Sequence, residues 1–568
     1  MPRIYAFIIS IIIIGCCSAL SKGQIYLSGP LNGVLTDTTY VVEDSIVVLA
    51  GDSLVIEPGA IFLFNGVYDF EIYGYLSAAG TESDSIYFQP NSGVDSFGSI
   101  IFRMDSSNDS EMSYCFITGS STSAINCYYV DITISHCTIT SNNANWGGGI
   151  YVSHGNPTIS DCIVTDNQCV NNGGGIYCTG ASPTIQNCII TGNSSNIGGG
   201  GSGRGGGGVC ANHSSSPTIE NCTISDNYCA ENGGGISIND NSHPEITDCI
   251  IANNTADSSG GGIFCSSNCS PIVTGCEIDS NSAVRGGGIY AEFMADLAFE
   301  HCVVSGNSAS ESGGGIYSSD SNPGFDRCTV SGNSAPIQGG GICCIASGMS
   351  LVNTILEGSA GEGGIYLFDS PDVSITYGDF FDNEGGDFLG NSIPPRLGEI
   401  TIVNANEDSC DQYYNIFLDP LFVNPTVGDF HLQEGSPCID AGDPDSPLDP
   451  DNTVADMGAF YFDHVGVSTT EHAAAPSDFI LLQNYPNPFN PTTVISFRLP
   501  VAGWVELEVF DVNGCAVLSG SGTTPTTGFY APGTHWITFD GTGLASGIYI
   551  YRLMAGDFIG VGKMVLMK

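Results

Sequence analysis

The chain has 568 residues, with 76 glycines, 11 Lys+Arg against 60 Asp+Glu, and a formal net charge of −49. This balance argues against a nucleic-acid partner, because phosphate backbones are held by clustered Lys and Arg. The glycine content disfavours helices, and the acidity suits a soluble, exported surface protein.

The N-terminus reads as a secretory signal. Arg3 supplies the positive start, Ile4 to Ile14 the apolar stretch, and Cys17-Ser18-Ala19 a small-residue cleavage site after Ala19. The apolar stretch is too short to span a bilayer, and no later segment is long and apolar enough. Ile13-Ile14-Gly15-Cys16 also resembles a bacterial lipobox, so lipidation of Cys16 stands as the alternative to ordinary Sec-type cleavage.

From Ile25 to Ser123 the chain carries strand-like runs such as Tyr40-Val41-Val42, Ser45 to Leu49 and Ile61 to Phe64. They predict irregular first coils that also cap an open end. From about residue 130 to 370 a phrase then recurs about every 26 residues, and such a period means a solenoid. It runs Gly-Gly-Gly-Ile-Tyr, Pro-Thr-Ile, Cys-x-Ile/Val. The cysteines are Cys137, Cys162, Cys188, Cys222, Cys249, Cys276, Cys302 and Cys328. An asparagine follows each by five residues: Asn142, Asn167, Asn193, Asn227, Asn254, Asn281, Asn307 and Asn333.

One coil can be read from residues 175 to 193. Ile176-Tyr177-Cys178 alternates in, out, in; Pro183-Thr184-Ile185 opens a second strand; Cys188-Ile189-Ile190 makes a third, with Cys188 and Ile190 inward. Asn193 closes the bend, and stacked asparagines predict an amide ladder along the axis. The glycines permit positive φ at tight corners. The expected fold is all-β: a right-handed parallel β-helix followed by a small C-terminal immunoglobulin-like β-sandwich. Stacked cysteines are expected as small buried hydrophobes with free thiols, with cross-coil disulfides as the alternative in an exported protein. The glycine-rich stretch Gly198 to Gly208 formally contains Gly-x-Gly-x-x-Gly, but without a strand–helix context it is an extended loop.

These repeats resemble the right-handed parallel β-helix repeat family and are similar to the repeats of polymorphic outer-membrane proteins. Residues 371 to 462 are expected to form irregular last coils. Within them, Asp419-Pro420-Leu421-Phe422 through Ser436 to Gly442 and on to Asp456-Met457-Gly458-Ala459 resembles the usual end of a β-helix of this kind. The acidic loop Asp443, Asp445, Asp449, Asp451 and Asp456 offers alternating carboxylates, which suit Ca²⁺ or plain turns. Calcium is the one cofactor the sequence offers.

Residues 464–478 read as a Thr/Ala/Ser-rich linker, which puts the β-helix at 25–463. Leu482-Gln483-Asn484-Tyr485-Pro486-Asn487-Pro488-Phe489-Asn490-Pro491 opens a module of short alternating strands, residues 479–568. This module resembles the type A sorting domain of type IX secretion cargo. The resemblance implies handling by the type IX machinery, export across the outer membrane and display at the cell surface.

Two chemistries compete on the body. The residue after each repeat isoleucine points away from the core, and Tyr151, Tyr177, Phe264, Tyr290, Tyr317 and Tyr366 make an aromatic stripe, interrupted by Cys210, Ser237 and Cys343. Such rings stack on sugars or on each other. The expected function is therefore a surface binding or adhesive scaffold, with extracellular polysaccharide as partner. The alternative is a carbohydrate-active enzyme. No catalytic residue can be named: between Ile25 and Val465 there is no lysine, and the arginines are Arg103, Arg204, Arg285, Arg327 and Arg396. Lyase chemistry needs such a base, so the balance leans away from an enzyme.

Overall fold

A computed structural model describes residues 24–196 and 205–464, and chiefly the strands between 480 and 566. Ala19, Cys16, residues 465–478 of the linker and residues 197–204 of the glycine loop lie outside the described residues. The contacts divide the chain into two units after Asp463.

The first unit is a parallel β-helix whose three faces follow from the repeat. Ile176–Thr179 lies on the first face, Thr184–Gln186 on the second and Ile189–Thr191 on the third. Each pairs in register with the same phrase one coil on: Ile150↔Ile176, Ile159↔Ile185 and Val164↔Ile190. The second face is a single 14-stranded sheet. The long strand Thr39–Val48 pairs with both Ile61–Phe64 and Phe70–Ile72, so it joins the first and third faces at the N-terminal end. Alternation places one isoleucine column per face in the core: Ile176, Ile185 and Ile190 are fully buried. The early coils use phenylalanine instead, and these rings stack, as Phe62 does on Phe88 with centroids 4.9 Å apart.

The corners between faces need a left-handed residue, and the sequence supplies residues that tolerate it: Asp161, Asn187, Asn221 and Asp248 have φ between 52° and 55°. A fourth, very short ladder goes beyond the three strands expected per coil. It runs from Asn143–Ala144 to Ala360–Gly361 as a nine-stranded sheet just after the asparagine bend. Its inward residues, such as Ala144, Cys169, Ser195 and Ala256, are small and buried.

The glycine triplet has three separate causes. The first glycine carries positive φ, +71° at Gly173. The second faces the fourth ladder: a Cβ on Gly174 would lie 2.4 Å from the Gly207 oxygen and 2.7 Å from the Ser194 backbone. The third meets the next coil's backbone and also faces the asparagine: a Cβ on Gly175 would lie 2.6 Å from the Gly208 oxygen and 3.1 Å from Asn193 Nδ2. Only the first uses the conformational freedom expected of all three.

The expectation of irregular last coils through residue 462 is corrected. Strands Val373–Thr376, Asp379–Phe381 and Phe388–Gly390 complete the stack, and Leu397, Phe388 and Phe417 close its core. Most of the remainder, through residue 462, folds back as a flap on the outside of the third face. There Val303 and Ile355 pack with Phe422, Phe430, Cys438 and Met457. Hydrogen bonds from Ala459 N to Thr329 Oγ1 (3.0 Å) and from Asp443 N to Asn353 Oδ1 (2.6 Å) fasten it. Arg327 anchors it through Asp449 at 3.9 Å. The flap lacks the glycine triplet, so nothing in it repeats the tight return that each coil requires.

Asp379 joins flap and coil. It is fully buried, and its carboxylate accepts from Leu418 N (3.1 Å) and from the Cys438 thiol (3.2 Å). Burial raises its pKa to about 7. A carboxyl whose folded pKa lies above the unfolded value of 3.8 stabilises most below 3.8, and that contribution is lost as pH rises through about 7. Thermal unfolding is therefore expected to show a loss on the order of a few kcal/mol between about pH 4 and pH 7. Asp379→Asn should flatten that slope; an unchanged slope would remove Asp379 as its source.

The second unit holds two antiparallel sheets. Ile480–Leu481, Thr492–Leu499 and Gly533–Asp540 form one; Thr526–Tyr530, Gly503–Asp511, Gly547–Ala555 and Phe558–Leu566 form the other. Ile495 and Phe497 from the first share a core with Leu507, Leu553 and Met564 from the second.

Candidate functional site

Two internal columns are structural. Asn193 Nδ2 donates to Asn227 Oδ1 at 3.0 Å and also to the Val164 carbonyl at 2.9 Å, while the Asn193 backbone N–H donates to the same Oδ1. The pattern runs unbroken from Asn142 to Asn333, through Asn167, Asn227, Asn254, Asn281 and Asn307, all buried. Beside it stand Cys137, Cys162, Cys188, Cys222, Cys249, Cys276, Cys302 and Cys328, buried and free. Their thiols donate to carbonyls two residues back, as Cys188 Sγ does to Gln186 O at 3.2 Å.

Burial pushes the Cys178 thiol of this core up to about 12. The 20 described thiols are all buried, and in native residues 25–463 they are therefore expected to leave a disulfide-exchange reagent unconsumed, reacting only after denaturant is added. Rapid reaction of the native state would contradict the buried ladder.

The aromatic stripe lies where the alternation puts it, on the outer side of the first face. Phe264, Tyr290 and Tyr317 occupy successive register positions. Yet it is covered. Tyr290 is 5% exposed and Tyr317 9%, and Tyr177 and Phe264 are equally buried; Tyr151 and Tyr366 are half-buried. The first glycine of the triplet runs close to the base of the ring: a Cβ on Gly286 would meet the Tyr290 Cβ at 2.9 Å. The rings also use their faces on each other. Tyr290 and Tyr317 stack at 5.0 Å and 3°, and Phe264 and Tyr290 at 5.5 Å and 12°. This row is a satellite core, and it does not present open faces to a sugar.

What the first face does present carries no period in the sequence. At one end Arg103 pairs with Glu71 at 2.5 Å, and its guanidinium carbon sits 5.5 Å from the Tyr128 ring centre. Tyr128 leans on Tyr151 at 5.5 Å and 45°. Next to it, Tyr129 stacks on the His154 ring at 4.6 Å and is 53% exposed. Burial raises the pKa of the neighbouring Asp69, whose Oδ1 accepts from Ser99 N at 2.9 Å. Further along, Arg285 lies over Tyr290 and Tyr317 at 6.0 and 5.7 Å, with Glu311 at 3.8 Å. Tyr290 OH donates to Glu292 at 3.2 Å, and burial holds the Glu292 carboxyl above the usual range. The available signal is scarcity: arginine is rare in the body, and two of its five reach over this face, Arg103 from the residue after strand Ile100–Phe102 and Arg285 from strand Ser282–Arg285 of the fourth ladder.

The five candidate calcium ligands do not converge. Asp443 accepts from Asp445 N, and Asp451 from Thr453. Asp449 accepts from Asp456 N and faces Arg327; Asp456 accepts from Asp440 N and Phe462 N. They hold turns of the flap together, and among the described residues no group of three or more acidic, Cys or His side chains is placed to hold a metal ion. Likewise, no helix of the described residues is long and apolar enough to cross a membrane.

No curated protein sequence matches the chain. The crystal structure of PfbA, a surface adhesin of Streptococcus pneumoniae, aligns over 70% of this chain and 93% of its own at 10% identity, with a TM-score of 0.25. Residues 483–567 match the secretion system C-terminal sorting domain, so this is a secreted protein with a type IX sorting tail. Residues 37–171, 145–296 and 283–410 each match the right-handed β-helix region, and the chain belongs to that right-handed β-helix family.

Proposed function

We propose that the protein is a surface-displayed binding scaffold for glycans, with residues 25–463 as the presented body and 479–568 as the sorting tail. The observation that carries this is the pair of arginine–carboxylate–tyrosine clusters on the outer side of the first face, around Arg103 and around Arg285. Guanidinium forks donate and carboxylates accept, and at the Arg103 end the exposed Tyr129 ring adds an apolar face, the mixture that hydroxylated ligands need. One β-helix carries both clusters, Glu71 and Arg103 at strands of the first face and Arg285 and Glu311 on the fourth ladder beside it. The bound ligand is retained rather than transformed.

The second reading, a glycoside hydrolase, draws on Asp69. Its carboxyl is raised by burial beside the Arg103-paired Glu71, and paired carboxylates in unlike environments are what general acid–base chemistry uses. The test is to pass polysaccharides over the immobilised full-length protein and follow retention and product size together. Retention of uncut chains supports the scaffold; shortened chains support the hydrolase, and Asp69→Asn should then abolish cutting.

A further inference from the structure

We infer that the ligand of this face is a neutral, extended polysaccharide that runs along the helix axis and is gripped at two separate sites. This rests on the glycan reading above and adds the ligand's charge, length and direction.

Charge comes first. The chain carries −49 overall. Each arginine on the face already has carboxylates around it: Glu71 at 2.5 Å and the nearby Asp69 for Arg103, Glu311 at 3.8 Å and the nearby Glu292 for Arg285. Neither site has positive charge left over for a uronate or a sulfate, and a polyanion would also meet the field of the whole molecule. Neutral hydroxyls fit both partners of each pair at once, accepting from the guanidinium and donating to the carboxylate.

Direction and length follow from the ladder. Six coil steps in register separate the strand of Tyr128 from the strand of Tyr290. At about 4.8 Å per coil the two sites stand about 29 Å apart along the axis. That rise is close to the length of one sugar unit in an extended chain, so an oligomer of about seven units reaches both sites. At the Arg103 end, Tyr129 is the open ring, and its stacking partner His154 holds it in place.

The experiment measures binding of the full-length protein to a neutral glucan, a neutral xylan, polygalacturonate and chitosan, and to neutral oligomers of increasing length. Neutral chains should bind, with an affinity that barely changes when salt is raised. Affinity should rise at least about tenfold once the oligomer spans both sites, because the second contact becomes intramolecular. Arg103→Ala and Arg285→Ala should each remove that rise. Tyr129→Ala, at an exposed corner outside the core, should weaken the Arg103 site and serves as the variant whose folding is least at risk. Binding of only the anionic or only the cationic polymer would overturn the inference while leaving the glycan reading in place. So would neutral binding without any dependence on length. Retention of none of them would remove the glycan reading itself.

Discussion

Asn254→Ala is expected to destabilise the β-helix by roughly 3–6 kcal/mol, although the side chain lost is small and touches no ligand. Asn254 Nδ2 donates to Ile224 O and to Asn281 Oδ1, at 2.8 and 3.0 Å. Its Oδ1 accepts from the Asn227 backbone N–H and from Asn227 Nδ2, both at 3.0 Å. Alanine removes all four bonds and strands the Asn227 donors in a site that water does not reach. Each buried group left without a partner costs about 1–3 kcal/mol, and the loss falls in mid-ladder, where both neighbouring coils depend on it. Denaturant titration gives the magnitude, and hydrogen exchange should show the opening centred on coils 227–281.

The ladder supplies its own control. At Ser359 the asparagine is missing, and the Ser359 hydroxyl has no partner. Ser359→Asn should restore a rung next to Asn333 and stabilise by roughly 1 kcal/mol. Equal, small effects at both positions would mean that the amide column is decorative and that isoleucine packing alone holds the coils.

The parts of this protein that are legible in its sequence are those where one residue per coil reports one place in space. The isoleucine, cysteine and asparagine columns each give such a signal, and alternation within a strand then assigns their direction. What fails to show has no period. The flap follows residue 390 without a glycine triplet, so the chain there obeys long-range packing on Val303 and Ile355 that no local pattern encodes. The aromatic row falls on its expected side, but its rings bury one another by stacking from coil to coil, and alternation says nothing about exposure. The Arg103 and Arg285 clusters join residues 32 and 26 positions apart, Glu71 with Arg103 and Arg285 with Glu311, and neither arginine recurs in adjacent coils. A binding site on a solenoid breaks the repeat, and so it hides from any search for repeats.

The glycines separate conformation from space, and two substitutions should divide sharply on that line. Gly234 is the middle glycine of its triplet. A Cβ there would stand 2.5 Å from the Gly261 oxygen and 2.6 Å from the Thr255 oxygen. Both obstacles are backbone, held by the ladders on either side, and neither is a side chain that can swing away. Gly234→Ala must therefore push two coils apart, and a loss of at least about 3 kcal/mol, or failure to fold, is expected. Gly332 is the opposite case. It has φ +60°, and a Cβ added there would meet nothing within 4 Å. The same corner in other coils is filled by Asp226, Asn253 and Ser280, with φ 55°, 56° and 54°. Gly332→Asn should change stability by less than about 0.5 kcal/mol, since asparagine tolerates the left-handed region and also restricts the unfolded chain. Melting curves of the two variants decide between the causes. If Gly332→Asn proves as damaging as Gly234→Ala, backbone conformation governs every glycine of the repeat. If only Gly234→Ala is damaging, the triplet recurs from coil to coil because two backbones meet there with no room for a side chain.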